Sequence, residues 1–300
     1  MTSGPASAQS PSAELPSIGA VVLSQGTRMP ELIRCLDGLR LQRGVELDIL
    51  VVGNGWEPAG IGEGVRTLAL PENLGIPEGR NVGAEAVRGE LICFIDDDAW
   101  IDDPDLLSKM AELFIDKPRL GSVQPHMCDE HGVTMRRWVP RLRTHDPDRP
   151  GPGFTIAECM FVIRREAFFG VGAWPGHFFY GHEGIDLTWR LWDAKWGVFY
   201  AGNLVAHHPA TSPARHAVFY RHNARNRVWI ARRNLPAAII PVYLGMWTLI
   251  TFARLIREPK ALSTWTKGFV EGWRTDPGPR HPMRWSTVGF LARLGHPPLV

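Results

Sequence analysis

"ELICFIDDDAW" (residues 90–100) runs a short apolar stretch straight into three adjacent carboxylates, and the rest of the chain is read outward from this junction. Such a run, bounded by a turn signal, suits a strand buried on both faces. Two β-branched apolar runs, "IGAVVLS" (18–24) and "ELDILVV" (46–52), precede it, with "VRTLAL" (65–70) as a third. Between the first two, "MPELIRCLDGLRLQ" (29–42) spaces Leu32, Ile33, Leu36 and Leu39 at helical period, with Pro30 suited to a first turn. "EGRNVGAEAVRG" (78–89) predicts a helix directly before the acidic strand. Strands alternating with helices predict an α/β domain with a largely parallel sheet. Ligands of such sheets gather beyond the C-terminal strand ends, where Asp96, Asp97 and Asp98 lie.

Further on the signal is mixed. "DPDLLSKMAELFI" (103–115) and "GIDLTWRLWDA" (184–194) predict helices, while "LGSVQP" (120–125) and "FTIAECMFVI" (154–163) predict strands. "GVFYAGNLVAHH" (197–208) predicts short strands ending in two histidines, and 126–153 is a Pro- and Arg-rich excursion. Residues 1–17, rich in Ser, Pro and Ala, read as a loose tail without a signal-peptide pattern. The predicted organisation is a tail (1–17), an α/β domain (18–212) and a basic, apolar helical extension (213–300).

At 44% hydrophobic, 300 residues can form a sizeable core. Cys35, Cys93, Cys128 and Cys159 make no C-x-x-C pair, which suits buried thiols in a reducing, cytoplasmic compartment. The net charge of +2 hides an asymmetry: residues 215–300 hold 14 Lys or Arg against three Asp or Glu, a net +11 against −9 elsewhere. That end calls for an anionic partner. Nucleic acid is not expected, because no zinc, helix-turn-helix or RRM signature accompanies the charge. "PAAIIPVYLGMWTLITFA" (236–253) is uncharged and basic at both flanks. Two prolines and a glycine disfavour a spanning helix, so 236–256 reads as an interfacial segment at the inner face of the cell membrane, with a packed core helix as the alternative.

Three carboxylates at one strand end repel one another unless a cation or protons relieve them. Extended backbone places Asp96 and Asp98 on one side and Asp97 on the other. Asp96 and Asp98 could share an ion, and oxygen ligands beside phosphate favour Mg²⁺ or Mn²⁺. Upstream, "NLGIPEGRNVGAEAVRGE" (73–90) offers Asn73, backbone N–H groups and Arg80 to an anion as the loop enters its helix.

These motifs, N-x-G, R-N-x-G and a strand ending in D-x-D, resemble those of the inverting family 2 glycosyltransferases with a GT-A fold. The resemblance spans roughly residues 18–235. It implies an α/β fold with a mostly parallel sheet flanked by helices, and transfer of a hexosyl or deoxyhexosyl group from a nucleotide-diphosphate donor. The acceptor would be a glycan or a lipid-linked molecule of the cell envelope. On the donor side it implies Ser24, Asn54, Asn73, Arg80, Asp96, Asp97 and Arg225. The metal ligands would be Asp96, Asp98 and His207, the last by its offset from its strand. In the acidic helix motif the family's catalytic Asp falls on Gly184, which leaves Glu183 as the base, His182 as a second candidate, and Asp186 to orient neighbours or bind acceptor. Gly53 stands where family members commonly carry an Asp that reads the base. Two alternatives stay open: a sugar nucleotidyltransferase, for which "SQGTRMPE" (24–31) is a faint phosphate loop, and a membrane-surface protein that has lost its chemistry.

Overall fold

A computed structural model describes residues 16–140, 146–210 and 219–299. Most of the expected tail and the expected boundary at 212/213 lie outside them. An eight-stranded sheet forms the centre, in the order β3-β2-β1-β4-β7-β5-β8-β6. These strands are β1 (Ser17–Ser24), β2 (Glu46–Asn54), β3 (Arg66–Leu70), β4 (Leu91–Asp96), β5 (Leu120–Cys128), β6 (Gly151–Pro152), β7 (Met160–Arg164) and β8 (Gly197–His207). β1 to β4 pair in parallel, as do β5 and β8, whereas β7 runs antiparallel between β4 and β5. The mostly parallel sheet expected from the alternation is thus interrupted by the reversed β7 beside the acidic strand, and the two-residue β6 at the edge also runs antiparallel to β8.

β1 and β4 are nearly continuous apolar runs because both faces are covered. On one side lie α1 (Met29–Arg40) and α3 (Leu106–Ile115), and on the other α2 (Ile76–Ala86), α4 (Arg165–Gly170) and α5 (Glu183–Asp193). Leu32, Cys35, Leu36 and Leu39 of α1 sit at helical spacing and all are buried. Each fully buried Leu or Phe contributes about 1.5–3 kcal/mol relative to exposure, so the β4 run alone anchors the acidic corner firmly. The four cysteines are free thiols.

The extension forms α6 (Phe219–Asn234), α7 (Ile240–Leu255), α8 (Pro259–Arg274) and α9 (Trp285–Arg293). Val228, Trp229, Ile230 and Tyr243 pack with Phe178 and Trp189 in a third apolar cluster, which seats α6 on α5. Among the described residues no helix is long and apolar enough to cross a membrane. The uncharged run yields the 16-residue α7, on which Val242, Met246, Leu249 and Phe252 are exposed, Leu249 by 68%, with Ile256 exposed just past its end.

Candidate active site

β4 ends at Asp96, and the chain then turns, Ala99 N–H donating to the Asp96 carbonyl (3.0 Å). The alternation expected of extended backbone therefore stops one residue early. Asp97 does not face away from Asp98: the guanidinium of Arg28, just before α1, forks onto both. Asp97 also accepts a hydrogen bond from the Ser24 hydroxyl at the end of β1 (2.6 Å). Burial pushes the Asp97 pKa up to about 6 against the opposing pull of Ser24 and Arg28. Asp96 takes its own cation, Arg80 of α2, at 2.6 Å. The same Arg80 nitrogen donates to the Glu158 carbonyl (2.8 Å), and its other terminal nitrogen is buried without a partner.

Opposite the carboxylates stands His208, not His207. His208 Nε2 lies 3.2 Å from Asp98 and 3.6 Å from Asp96. Its Nδ1–H donates to the Pro209 carbonyl (2.8 Å), which fixes the tautomer and aims Nε2 at the acids. Burial disfavours the charged ring, but the bonds and charges of Asp96 and Asp98 outweigh that and push its pKa up to about 10. His207, expected as the metal ligand, turns away: it stacks on Trp100, lies 3.2 Å from Asp102 and meets Cys128 through Nδ1. Asp96, His208 and Cys159 bring one donor atom each within 4.8 Å of one another. Burial holds the Cys159 thiol well above its usual pKa, and a thiol is the soft donor of the three. The donors that fit a hard divalent ion are the carboxylates of Asp96 and Asp98 with the imidazole of His208, which would give up its Nε2 proton to the ion.

Several other expected site residues are used inside the fold. Asn54 at the end of β2 gives its amide to Asn73 (2.9 Å) and to the Gly75 carbonyl (3.1 Å), and accepts from Leu74 N–H (2.8 Å). It shapes the loop entering α2, and both its amide hydrogens are taken rather than left for a nucleobase. Asn73 is exposed on that loop. Gly53 has no space for a side chain, since a Cβ would overlap the Trp56 carbonyl. Arg225 donates to the Phe178 carbonyl (2.7 Å), and Asn226 to the carbonyls of Phe178, Tyr180 and Gly181 (3.0, 2.9 and 2.8 Å). Together they hold the aromatic loop ahead of α5, so Arg225 does not form the expected diphosphate clamp.

That loop delivers the acidic motif. His182, with a left-handed φ of 72°, donates through Nε2 to the Asn223 carbonyl (3.1 Å), and burial holds it well below its usual pKa. With Nε2 already donating, it is a poor base. Asp186 is fully buried and gripped by Arg190 (2.6 Å), Arg233 (3.0 Å) and the Asn234 amide (2.7 Å). It ties α5 to α6, and both of its oxygens are taken by these donors. Glu183 is 1% exposed, and its Oε2 has no hydrogen-bond partner. Its carboxyl interacts electrostatically with that of Glu158, a residue not singled out in the sequence. Burial pushes both carboxyls up, Glu158 further because of the neighbouring Glu183 charge; their mutual bond favours the neutral form of Glu158 and the charged form of Glu183. Arg28 and Glu158 were missed for different reasons. Arg28 sits in "SQGTRMPE", a segment weighed only for phosphate binding. Glu158 carried a usable signal as the lone charge in "FTIAECMFVI".

Comparison with known proteins bears on the family and the fold. Residues 28–170 match the family model of Glycosyl transferase family 2. EpsH of Bacillus subtilis (strain 168), a glycosyltransferase by designation, is 34% identical over 105 residues, 32% of this chain and 30% of that protein. The matched stretch thus spans under a third of that relative. Among solved structures, GalNAc-T7 with UDP, GalNAc and Mn²⁺ superposes with a TM-score of 0.63 at 12% identity, covering 96% of this chain and 59% of that one. Staphylococcus aureus TarS 1–349 with UDP-GlcNAc gives 0.60 at 14%, covering 85% and 81%. The mannosyltransferase PcManGT from Pyrobaculum calidifontis, with GDP-Man and Mn²⁺, gives 0.56 at 15%, covering 94% and 80%. The mixed eight-stranded sheet flanked by helices is the GT-A fold.

Proposed function

We propose that this chain, whose residues 28–170 belong to glycosyl transferase family 2 and whose sheet has the GT-A fold, is an inverting glycosyltransferase. It moves a hexosyl or deoxyhexosyl group from a nucleotide-diphosphate donor to an acceptor hydroxyl. One observation carries the reading: Asp96 and Asp98 at the end of β4 converge with His208 from beyond β8, beside a buried Glu183–Glu158 pair. The nucleotide-sugar complexes of TarS and PcManGT support the donor class. Asp96, Asp98 and His208 would hold Mn²⁺ or Mg²⁺, which when bound supplies Lewis-acid neutralisation of the leaving diphosphate. Arg80 adds a fixed positive charge at the same corner. Glu183 takes the proton of the acceptor hydroxyl through its free Oε2. The nucleotidyltransferase alternative loses support because Arg28 of the segment it would need is committed to Asp97 and Asp98.

We also propose that α7 and α8 rest on an anionic membrane surface and bring the site to a lipid-linked or cell-envelope acceptor. The apolar stripe on α7 is flanked by exposed Arg254, Arg257 and Lys260, and Trp273 of α8 extends it. Apolar insertion and basic attraction to anionic headgroups reinforce each other there.

Transfer or hydrolysis of UDP-GlcNAc, UDP-glucose and GDP-mannose with Mn²⁺ tests the chemistry, comparing the parent with Asp98→Ala and Glu183→Gln. Both variants should lose turnover by about 100-fold or more. A parent that binds no nucleotide and turns over no donor defeats the reading. Full activity of Glu183→Gln removes the base assignment. For the surface, sedimentation with vesicles containing phosphatidylglycerol should capture the parent, and Leu249→Ser with Phe252→Ser should reduce capture. A chain that ignores such vesicles refutes it.

A further inference from the structure

Position 184 is closed to any side chain. A Cβ built there would lie 2.5 Å from Glu158 Oε1 and 2.8 Å from the Ile156 carbonyl. The space belongs to the Glu158 carboxyl, whose Oε1 accepts the Gly184 N–H at 2.7 Å. Gly184 is the second residue of α5, and its N–H is one of those a helix start leaves without an intrahelical partner. His182, preceding the helix, gives no side-chain cap. Glu158 therefore caps α5 from outside, arriving from the segment just before β7. Its carboxyl also faces Glu183, the first residue of that helix, whose charge acts on it, and Glu183 keeps Oε2 unpartnered.

We propose that Glu158 is the positioning residue for the acceptor-activating carboxylate, occupying the room of the acidic side chain that Gly184 lacks and holding Glu183 so that its free Oε2 meets the acceptor. A bond between two carboxyl groups needs one proton. Glu158 holds it and donates to Glu183, which leaves the second Glu183 oxygen as the acceptor of the incoming proton. In the transfer, the acceptor oxygen bonds the anomeric carbon as its proton passes to Glu183 Oε2. The bond from that carbon to the diphosphate oxygen breaks, the electron pair leaving with the diphosphate, and Glu183 later releases its proton to water. This inference rests on the transfer reading above.

The test uses donor hydrolysis, with water as acceptor and UDP-GlcNAc, UDP-glucose and GDP-mannose as probes in Mn²⁺. It also measures UDP and GDP binding by calorimetry. A glutamine at 158 keeps an oxygen for Gly184 N–H and an N–H for Glu183. Glu158→Gln should therefore retain kcat within about threefold, whereas Glu158→Ala should lower kcat about 10- to 100-fold through misplacement of the base. KM for donor and nucleotide affinity should stay near parental in both. Glu158→Asp, which keeps the acid but shortens its reach, should also lower kcat and serves if the alanine variant does not fold. Parental kcat in Glu158→Ala or Glu158→Asp overturns the inference alone. Loss of turnover in Glu158→Gln equal to that in Glu158→Ala also overturns it, because Glu158 would then be the base. A parent that neither binds UDP or GDP nor hydrolyses any probe overturns the transfer reading and this inference with it.

Discussion

Replacing Asp186 by Asn separates a structural carboxylate from a catalytic one. Asp186 is fully buried and shared by two guanidinium groups, Arg190 and Arg233, each with a side chain only 9% exposed. Neutralising it leaves two nearly buried cations facing an amide, and breaking a buried pair in this way typically destabilises by about 3–5 kcal/mol. The Asn oxygen can still accept from Asn234, so the lower half of that range is expected. At about 2 °C per kcal/mol for a chain of this size, the melting temperature should fall by about 6–8 °C. Acid should narrow the gap. Burial opposes the charged form of Asp186, but the charges of Arg190 and Arg233 and the Asn234 bond outweigh it and hold its pKa below the usual carboxylate value. A depressed folded pKa gives stability that is present above the unfolded value of about 4 and is lost as pH falls through the folded one. Melting curves of parent and Asp186→Asn from pH 3 to 8 should therefore differ most at neutral pH and begin to draw together as pH falls below about 4. A variant that melts with the parent at pH 7 while losing turnover would refute this reasoning and return Asp186 to the chemistry.

Other outcomes follow from the same contacts. His208→Ala should weaken Mn²⁺ binding about tenfold or more in calorimetry, whereas His207→Ala, whose ring faces Trp100 and Asp102, should leave it within about threefold. Asn226→Ala removes the donor to three loop carbonyls and should lower stability by about 1–3 kcal/mol, read as a lower melting temperature. Gly53→Asp restores the acid that family members commonly carry, yet its Cβ would overlap the Trp56 carbonyl; it should melt earlier and gain no nucleotide affinity by calorimetry.

The sheet was legible because β1, β2 and β4 are largely buried on both faces and so read as short apolar runs bounded by turn signals. The placement of three acids at a sheet edge followed from that alone. What failed was parity. Counting alternate residues put Asp97 on the far side of Asp98, but the strand ends at Asp96 and a turn brings both to Arg28. Counting along β8 selected His207, but β8 is irregular: its pairing with β5 jumps from Pro125–Ala201 to His126–Val205, which resets which face each later residue presents. Asn54 and Arg225 read as ligand-facing, and Asp186 as orienting neighbours or binding acceptor, because a sequence does not show which buried backbone groups or charges need a partner. Each makes a contact with a residue 19 or more positions distant.

The two glycines that stand in place of family acids have a common physical explanation. A lost carboxylate at 53 or 184 would be a defect if it left a cavity open to ligand, but neither position is empty. The Trp56 carbonyl fills the first and the Glu158 carboxyl fills the second. The consequences differ because the fillers differ. A carbonyl can accept a hydrogen bond but cannot carry charge or move a proton, so whatever the acid at 53 does for the nucleobase in relatives must come here from elsewhere. A carboxyl from another element at 184 accepts the Gly184 N–H and stands as a protonated partner beside Glu183. The acidic helix motif therefore cannot be scored for activity on its own residues; its second acid lies 26 residues upstream of Gly184, and only the folded chain brings it there.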